Sequence, residues 1–129
     1  MSKKKARLHL QLAKKQLDRV QIASFDPQDP EEAVTWAFYA YENAIVATAE
    51  AKGIAWEKKH PFKVVLAGEL HTKGILSLDA GPTIERLNEL RKDVQYGEPG
   101  PELEDENLED LATDLENLID EVEAIVGQL

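Results

Sequence analysis

The side chains with the most chemistry to offer in this chain of 129 residues close one amphipathic stretch, Leu87-Asn88-Glu89-Leu90-Arg91-Lys92-Asp93-Val94-Gln95-Tyr96-Gly97. Arg91 adjoins the Leu87/Leu90/Val94 stripe, so it is expected half-buried, where a guanidinium takes a carboxylate or phosphate partner. Tyr96 follows five residues later, about 140° round an α-helix. The two share a face only if the helix end unwinds or a second subunit brings them together. Asp93 is the carboxylate between them. Taken alone, an Arg paired with an acid of a neighbouring helix and a Tyr packed at a helix terminus account for these residues.

The other reactive residue types make weaker patterns. Glu57-x-x-His60 has the spacing that di-iron bundles use, but such bundles need it from two helices together with two further inward carboxylates. Here it occurs once, encloses Lys58 and Lys59, and runs into Pro61. His60 is expected to be a loop or cap residue and no metal site is expected. Glu116, Asp120 and Glu123 share one helix face, yet a hard cation needs oxygen ligands from more than one element. A nucleotide-pyrophosphatase pattern fails at Glu31-Glu32, which is followed by Thr35 where a third acid belongs. Ser24 and Ser77 have no base nearby in sequence. The chain has no cysteine, which removes a thiolate nucleophile, a thiolate zinc site and a disulfide framework together. No glycine-rich phosphate loop follows a strand, and no cofactor is expected.

Composition sets the class of molecule that must hold these residues. A hydrophobic share of 43% and a charged share of 31% fit a globular chain and exclude a disordered one. One domain over residues 1–129 is expected, since a chain of this size buries about two-thirds of its unfolded surface. No apolar run reaches the roughly 20 residues that cross a bilayer. The polar Ala6-to-Gln11 stretch after Lys3-Lys4-Lys5 does not continue as a secretory signal, so a cytoplasmic protein with no membrane contact is expected. The formal net charge is −10 and unevenly placed. Residues 1–19 hold seven Lys/Arg and a single acid, whereas residues 101–129 hold eleven acids and no Lys or Arg. That balance argues against double-stranded DNA as a partner, although a local basic patch still binds phosphate. The simplest use of the two ends is to lie side by side as oppositely charged helices.

The elements that position Arg91 are read from apolar spacing, which follows the helical period throughout. Ala6, Leu10, Ala13, Leu17 and Val20 predict a basic helix over about 4–24. Residues 25–29 form a loop. Asp29-Pro30-Glu31-Glu32 then offers an N-cap, a first-position proline and a capping-box glutamate for a helix over about 30–52. That helix carries an alanine seam, Ala33, Ala37, Ala40, Ala44, Ala47 and Ala51, and is apolar over most of its remaining surface. It belongs in the centre of the protein. Further helices are expected over about 61–73, 82–96 and 105–127, the last with a seam from Leu108 through Leu115 and Leu118 to Leu129 that Ala112, Ile119 and Val126 widen. The fold class is all-α, an up-and-down bundle of four to five helices.

Four of these features recur in one order: the amphipathic first helix from Ala13 to Phe25; the run Trp36-Ala37-Phe38-Tyr39-Ala40-Tyr41-Glu42-Asn43-Ala44; Lys58-Lys59-His60-Pro61-Phe62 leading into the third helix; and Leu90-Arg91 through Tyr96-Gly97. In this the chain resembles the HEPN superfamily of helical bundles, over most of residues 4–127. The resemblance implies a dimeric bundle linked with RNA cleavage, nucleotide binding or toxin–antitoxin modules. Active members place an Arg, then four to six intervening residues, then a His, at a cleft shared by two subunits. Arg91 matches the Arg, but Tyr96 stands where the His is due, followed by Gly97 and Glu98, and Lys92 replaces a small polar residue. A phenol with a pKa of about 10 is a poor general base at neutral pH.

The leading expectation is therefore a non-catalytic or weakly active homodimeric binding protein, associated with RNA or a nucleotide or part of a toxin–antitoxin or defence module. The alternatives are a metal-independent ribonuclease, with Arg91 stabilising phosphate charge and Tyr96 or Asp93 standing in for the His, and a structural adaptor whose acidic last helix docks a basic protein. The homodimer is expected also because the apolar surplus of the second helix exceeds what one neighbour covers.

Overall fold

Each long helix starts where the chain offers a side-chain acceptor or a proline. The computed structural model describes residues 2–97 and 100–129. Ser2 accepts the Lys5 N–H at 3.1 Å and opens α1 (Lys3–Ser24). Asp29 accepts the Glu32 N–H at 3.2 Å and opens α2 (Pro30–Lys52). Only half of the expected capping box forms, because the Glu32 carboxylate instead accepts the Trp36 indole N–H at 2.7 Å. Pro61 and Pro82 lie in the first turns of α3 (His60–Thr72) and α4 (Gly81–Gln95), where a missing N–H has no partner to lose. Gly53 ends α2 in the left-handed region at φ 69°, with its N–H on the Ala49 carbonyl.

The C-terminal part departs from the single helix expected over 105–127. A one-turn helix, α5 (Pro101–Glu104), is pinned by buried Leu103, and Asn107 then starts α6 (Leu108–Gly127) afresh by accepting the Asp110 N–H at 3.0 Å. A new cap at Asn107 is why residues 105–107 are not helical. Glu98 and Pro99, within the loop expected before the last helix, lie outside the described residues. The buried line of α6 is also rotated from the expected seam. Leu108, Leu111, Ala112, Leu115, Ile119, Val122 and Val126 are buried, while Leu118 and Ile125 are only partly covered.

Among the described residues there is no strand, and the helices pack up and down around α2. α1 runs antiparallel to it. The Ser2 N–H meets the Glu50 carbonyl at 3.2 Å, His9 meets Asn43 at 2.9 Å, and Arg19 stacks over Trp36 at 4.5 Å. Trp36, Asn43 and Glu50 thus lie on one line of α2, with Ala40 and Ala47 between them. Small side chains there let the two backbones approach closely. The rest of α2 is covered by α3, α4 and α6, so neighbours within the chain take up most of the apolar surplus that the sequence assigns to a partner.

The basic and acidic helices do lie together. Lys14 pairs with Glu123, and Gln21 donates to Glu116 at 2.7 Å. These contacts are exposed, and the buried sides of α1 and α6 carry the packing. Lys14→Ala is accordingly expected to change the unfolding free energy by less than about 1 kcal/mol in urea denaturation.

Candidate functional site

Arg91 lies across α2 rather than beside an acid. Its guanidinium carbon stands 4.6 Å from the centre of the Phe38 ring and 5.9 Å from that of Tyr39. Nη2 donates to Asn88 Oδ1 at 2.8 Å, and Nη1 reaches Gln95 Oε1 at 3.4 Å. Among the described residues no carboxylate lies within ion-pair distance of it, which replaces the acid-paired arginine that the sequence alone accounts for. The negative faces of the two rings compensate part of the charge. The Nε–H is buried with no acceptor.

Asn88 ties this arginine to a histidine. It is 4% exposed, and its Nδ2 stands 3.0 Å from His60 Nε2. A guanidinium has donors only, so Asn88 must present its oxygen to Arg91 and its amide N–H to His60. The His60 Nε2 is thereby an acceptor and its proton is assigned to Nδ1. The imidazole also packs edge-on against Phe38, with ring centres 6.2 Å apart. His60 is thus more than the loop or cap residue expected: it is the first residue of α3 and part of a network with α4. Phe38 is the common floor.

Glu42, one turn further along α2, is 7% exposed. Its Oε1 lies 3.4 Å from Lys63 Nζ, and its Oε2 has no partner. Burial raises its carboxyl above the ordinary value of 4.5, opposed by the positive charge and hydrogen bond of Lys63 and then by His60 and Arg91. A raised acid binds its proton more tightly in the folded chain than in the unfolded one. Its contribution to stability is fully present below the ordinary value and is lost as pH rises through the raised one. Glu42→Gln removes that loss. Relative to wild type, the variant is expected to gain stability as pH rises above the ordinary carboxylate value, read from urea unfolding across the range.

The other two sequence candidates stand apart from this network. α4 stops at Gln95, so Tyr96 is its C-cap and is 71% exposed. Asp93 is partly buried. Neither makes a hydrogen bond or an ion pair with Arg91 among the described residues. What the structure adds instead is a run of three rings with a cation at each end: Arg19 on Trp36 at 4.5 Å, Trp36 to Tyr39 at 6.0 Å, Tyr39 to Phe38 at 5.3 Å, and the buried Phe38 under Arg91. The sequence signal was present in the Trp36–Tyr39 spacing, but which cations reach the rings depends on the packing of α1 and α4.

Of the three acids that share a face of α6, Glu116 accepts from Gln21 and Glu123 pairs with Lys14, while Asp120 makes no ion pair or side-chain hydrogen bond among the described residues.

The fold and the site together define an all-α domain that buries an alanine-rich second helix and holds an arginine of its fourth on an aromatic floor. The chain belongs to the HEPN family, whose model, described as HEPN domain, matches residues 5–125. Neither a curated protein nor a solved structure matches it. No helix among the described residues is long and apolar enough to cross a membrane.

Proposed function

We propose that this HEPN-domain protein is a cytoplasmic homodimer that binds single-stranded RNA along the Arg19–Arg91 strip and does not cleave it efficiently. The strip itself carries the proposal. Two cations that flank a run of rings suit a flexible strand, whose phosphates take the guanidinium groups and whose bases stack on the exposed Tyr39 and the partly covered Trp36, while buried Phe38 only supports Arg91. Arg91 supports it further, since a guanidinium not saturated by a carboxylate is a receptor for phosphate. Among the described residues efficient cleavage lacks a free acid/base pair: the imidazole beside Arg91 has its Nε2 committed to Asn88, and the Tyr96 phenol lies outside the network. In a toxin–antitoxin or defence module, such a protein acts by holding RNA or a partner.

Labelled single-stranded RNA titrated at low and high salt, wild type beside Arg91→Ala, tests this. Binding that weakens with salt and falls at least about ten-fold in the variant is expected, because a charge-assisted hydrogen bond is worth about that much. Equal binding by both proteins retires the cleft and leaves the acidic adaptor reading. Turnover of the RNA by wild type, lost in Arg91→Ala, favours the ribonuclease reading.

The dimer rests on apolar side chains left uncovered around the site: Tyr39 on α2, Phe62 and Val65 on one face of α3, and Tyr96 after α4. Exposed aromatics beside a functional residue are the composition of an interface core. Sedimentation is expected to show a dimer for wild type and a monomer for Val65→Asp. A wild-type mass that stays monomeric at every concentration contradicts the dimer.

A further inference from the structure

A second cavity, of about 200 Å³, lies between α2, the 77–80 connection, the first turn of α4 and α6, and it shares no residue with the Arg91 network. Its charge is one-sided. Asp79, Asp114 and Glu121 line it and no Lys or Arg does. The nearby Arg86 is held by Glu106 at 2.8 Å. Two of the acids build the walls: Glu121 takes both the N–H and the hydroxyl of Ser77 at 2.7 Å, and Asp79 takes the Gly81 N–H at 2.8 Å. Asp114 makes no ion pair or hydrogen bond among the described residues.

The second observation is Tyr41, which lines the cavity while being only 5% exposed. No group among the described residues hydrogen-bonds its hydroxyl. Burial, and then the charge of Asp114, push the phenol far above its ordinary value, so it stays protonated and offers both a donor and an acceptor. A tyrosine hydroxyl in a nearly buried position normally has a partner. Here the neighbouring group without one is the Asp114 carboxylate.

We infer that this cavity binds a small organic ammonium, with a short alkyl diamine as the fitting class, held by the Asp114 carboxylate and the Tyr41 hydroxyl. An anion is disfavoured by the three carboxylates. A metal ion is disfavoured because, among the described residues, no three His, Asp or Glu side chains converge closely enough to ligate one. Carboxylates too far apart for one ion suit a longer cation. Leu78 and Leu118 at the walls give its methylenes an apolar surface. The volume equals about six or seven waters at roughly 30 Å³ each, which matches the bulk of a six-heavy-atom diamine.

Titration of the full chain with 1,4-diaminobutane, followed by backbone amide NMR and by calorimetry, tests the site. Shifts are expected at Ser77, Ala80, Thr83 and Asn117, with affinity weakened about ten-fold in Asp114→Asn and reduced in Tyr41→Phe, since each removes one hydrogen bond to a charged group. Asp114 is a surface residue and Tyr41→Phe deletes only an unpartnered hydroxyl, so both variants are expected to keep the wild-type urea midpoint. 1-Butanol, which has the chain without the charge, is expected to leave the amides unmoved. The inference is overturned by equal affinity in all three proteins, by shifts that map elsewhere, by 1-butanol acting like the diamine, or by no shift at about 20 mM diamine, about twenty-fold above a Kd of about 1 mM.

Discussion

Leu115→Ala is expected to lower the unfolding free energy by about 2–5 kcal/mol, because it removes a fully buried side chain from a packed core and leaves a void that relaxes only in part. Leu115 stands midway along the buried line of α6, between Leu111 and Ile119, where that helix meets both α1 and α2. Leu118→Ala gives the contrast. Its side chain is partly exposed at the edge of the α6 packing, so less apolar area is returned to water and no closed void forms. A loss of less than half that at Leu115 is expected. Glu116→Ala removes one exposed hydrogen bond to Gln21 and is expected to change stability by less than about 0.5 kcal/mol. Urea unfolding of the three variants checks the order. Equal losses at 115 and 118 contradict the rotated face seen here and restore the seam read from spacing alone.

That rotation marks how far spacing carries. A period of 3 and 4 identified α6 because its apolar residues cover a wide arc, but the centre of that arc is chosen by its neighbours. Leu118 and Ile119 are both apolar, and only the position of α1 and α2 decides which is covered. Caps were legible for the same local reason that periods were: Asp29-Pro30 and Gly53 act within one turn of the chain. Asn107 acts as locally as Asp29, but it sits inside an otherwise continuous apolar pattern that hides the break. The HEPN membership was legible too, through the alanine-aromatic run of α2 and its position between recognisable neighbours. The site was legible in part. Arg91 announced itself by lying beside an apolar stripe, and its half-burial follows from that. Its partners did not, because Phe38, Asn88 and His60 are brought to it by the crossing of α2, α3 and α4. His60 in particular reads as a loop residue between Lys59 and Pro61 until α3 is docked. Tyr96 lies past the end of α4 and faces solvent, so even with the helix ended before it the phenol is not brought to Arg91.

Asn88→Ala is the substitution expected to disturb that site most for its size. Asn88 is buried and serves two groups with one amide, its oxygen on Arg91 and its nitrogen toward His60. Alanine leaves a guanidinium donor and an imidazole acceptor without partners in a place that water does not freely reach. Each buried polar group so stranded costs about 1–3 kcal/mol. A loss of about 2–4 kcal/mol in urea unfolding is expected, the two penalties overlapping because both groups relax into the same vacated space. Asn88→Leu separates hydrogen bonding from volume, since leucine refills the space and bonds neither neighbour. It is expected to remain well below wild type. A leucine variant as stable as wild type shows that Asn88 contributes only bulk. The second readout is RNA affinity. If Asn88 holds Arg91 in place over Phe38, affinity falls in Asn88→Leu toward the level of Arg91→Ala, and the double variant is no weaker than Arg91→Ala alone. Additive losses in the double variant instead mean that Asn88 acts on RNA independently of Arg91, and the network described here is then two separate contacts that happen to share an amide.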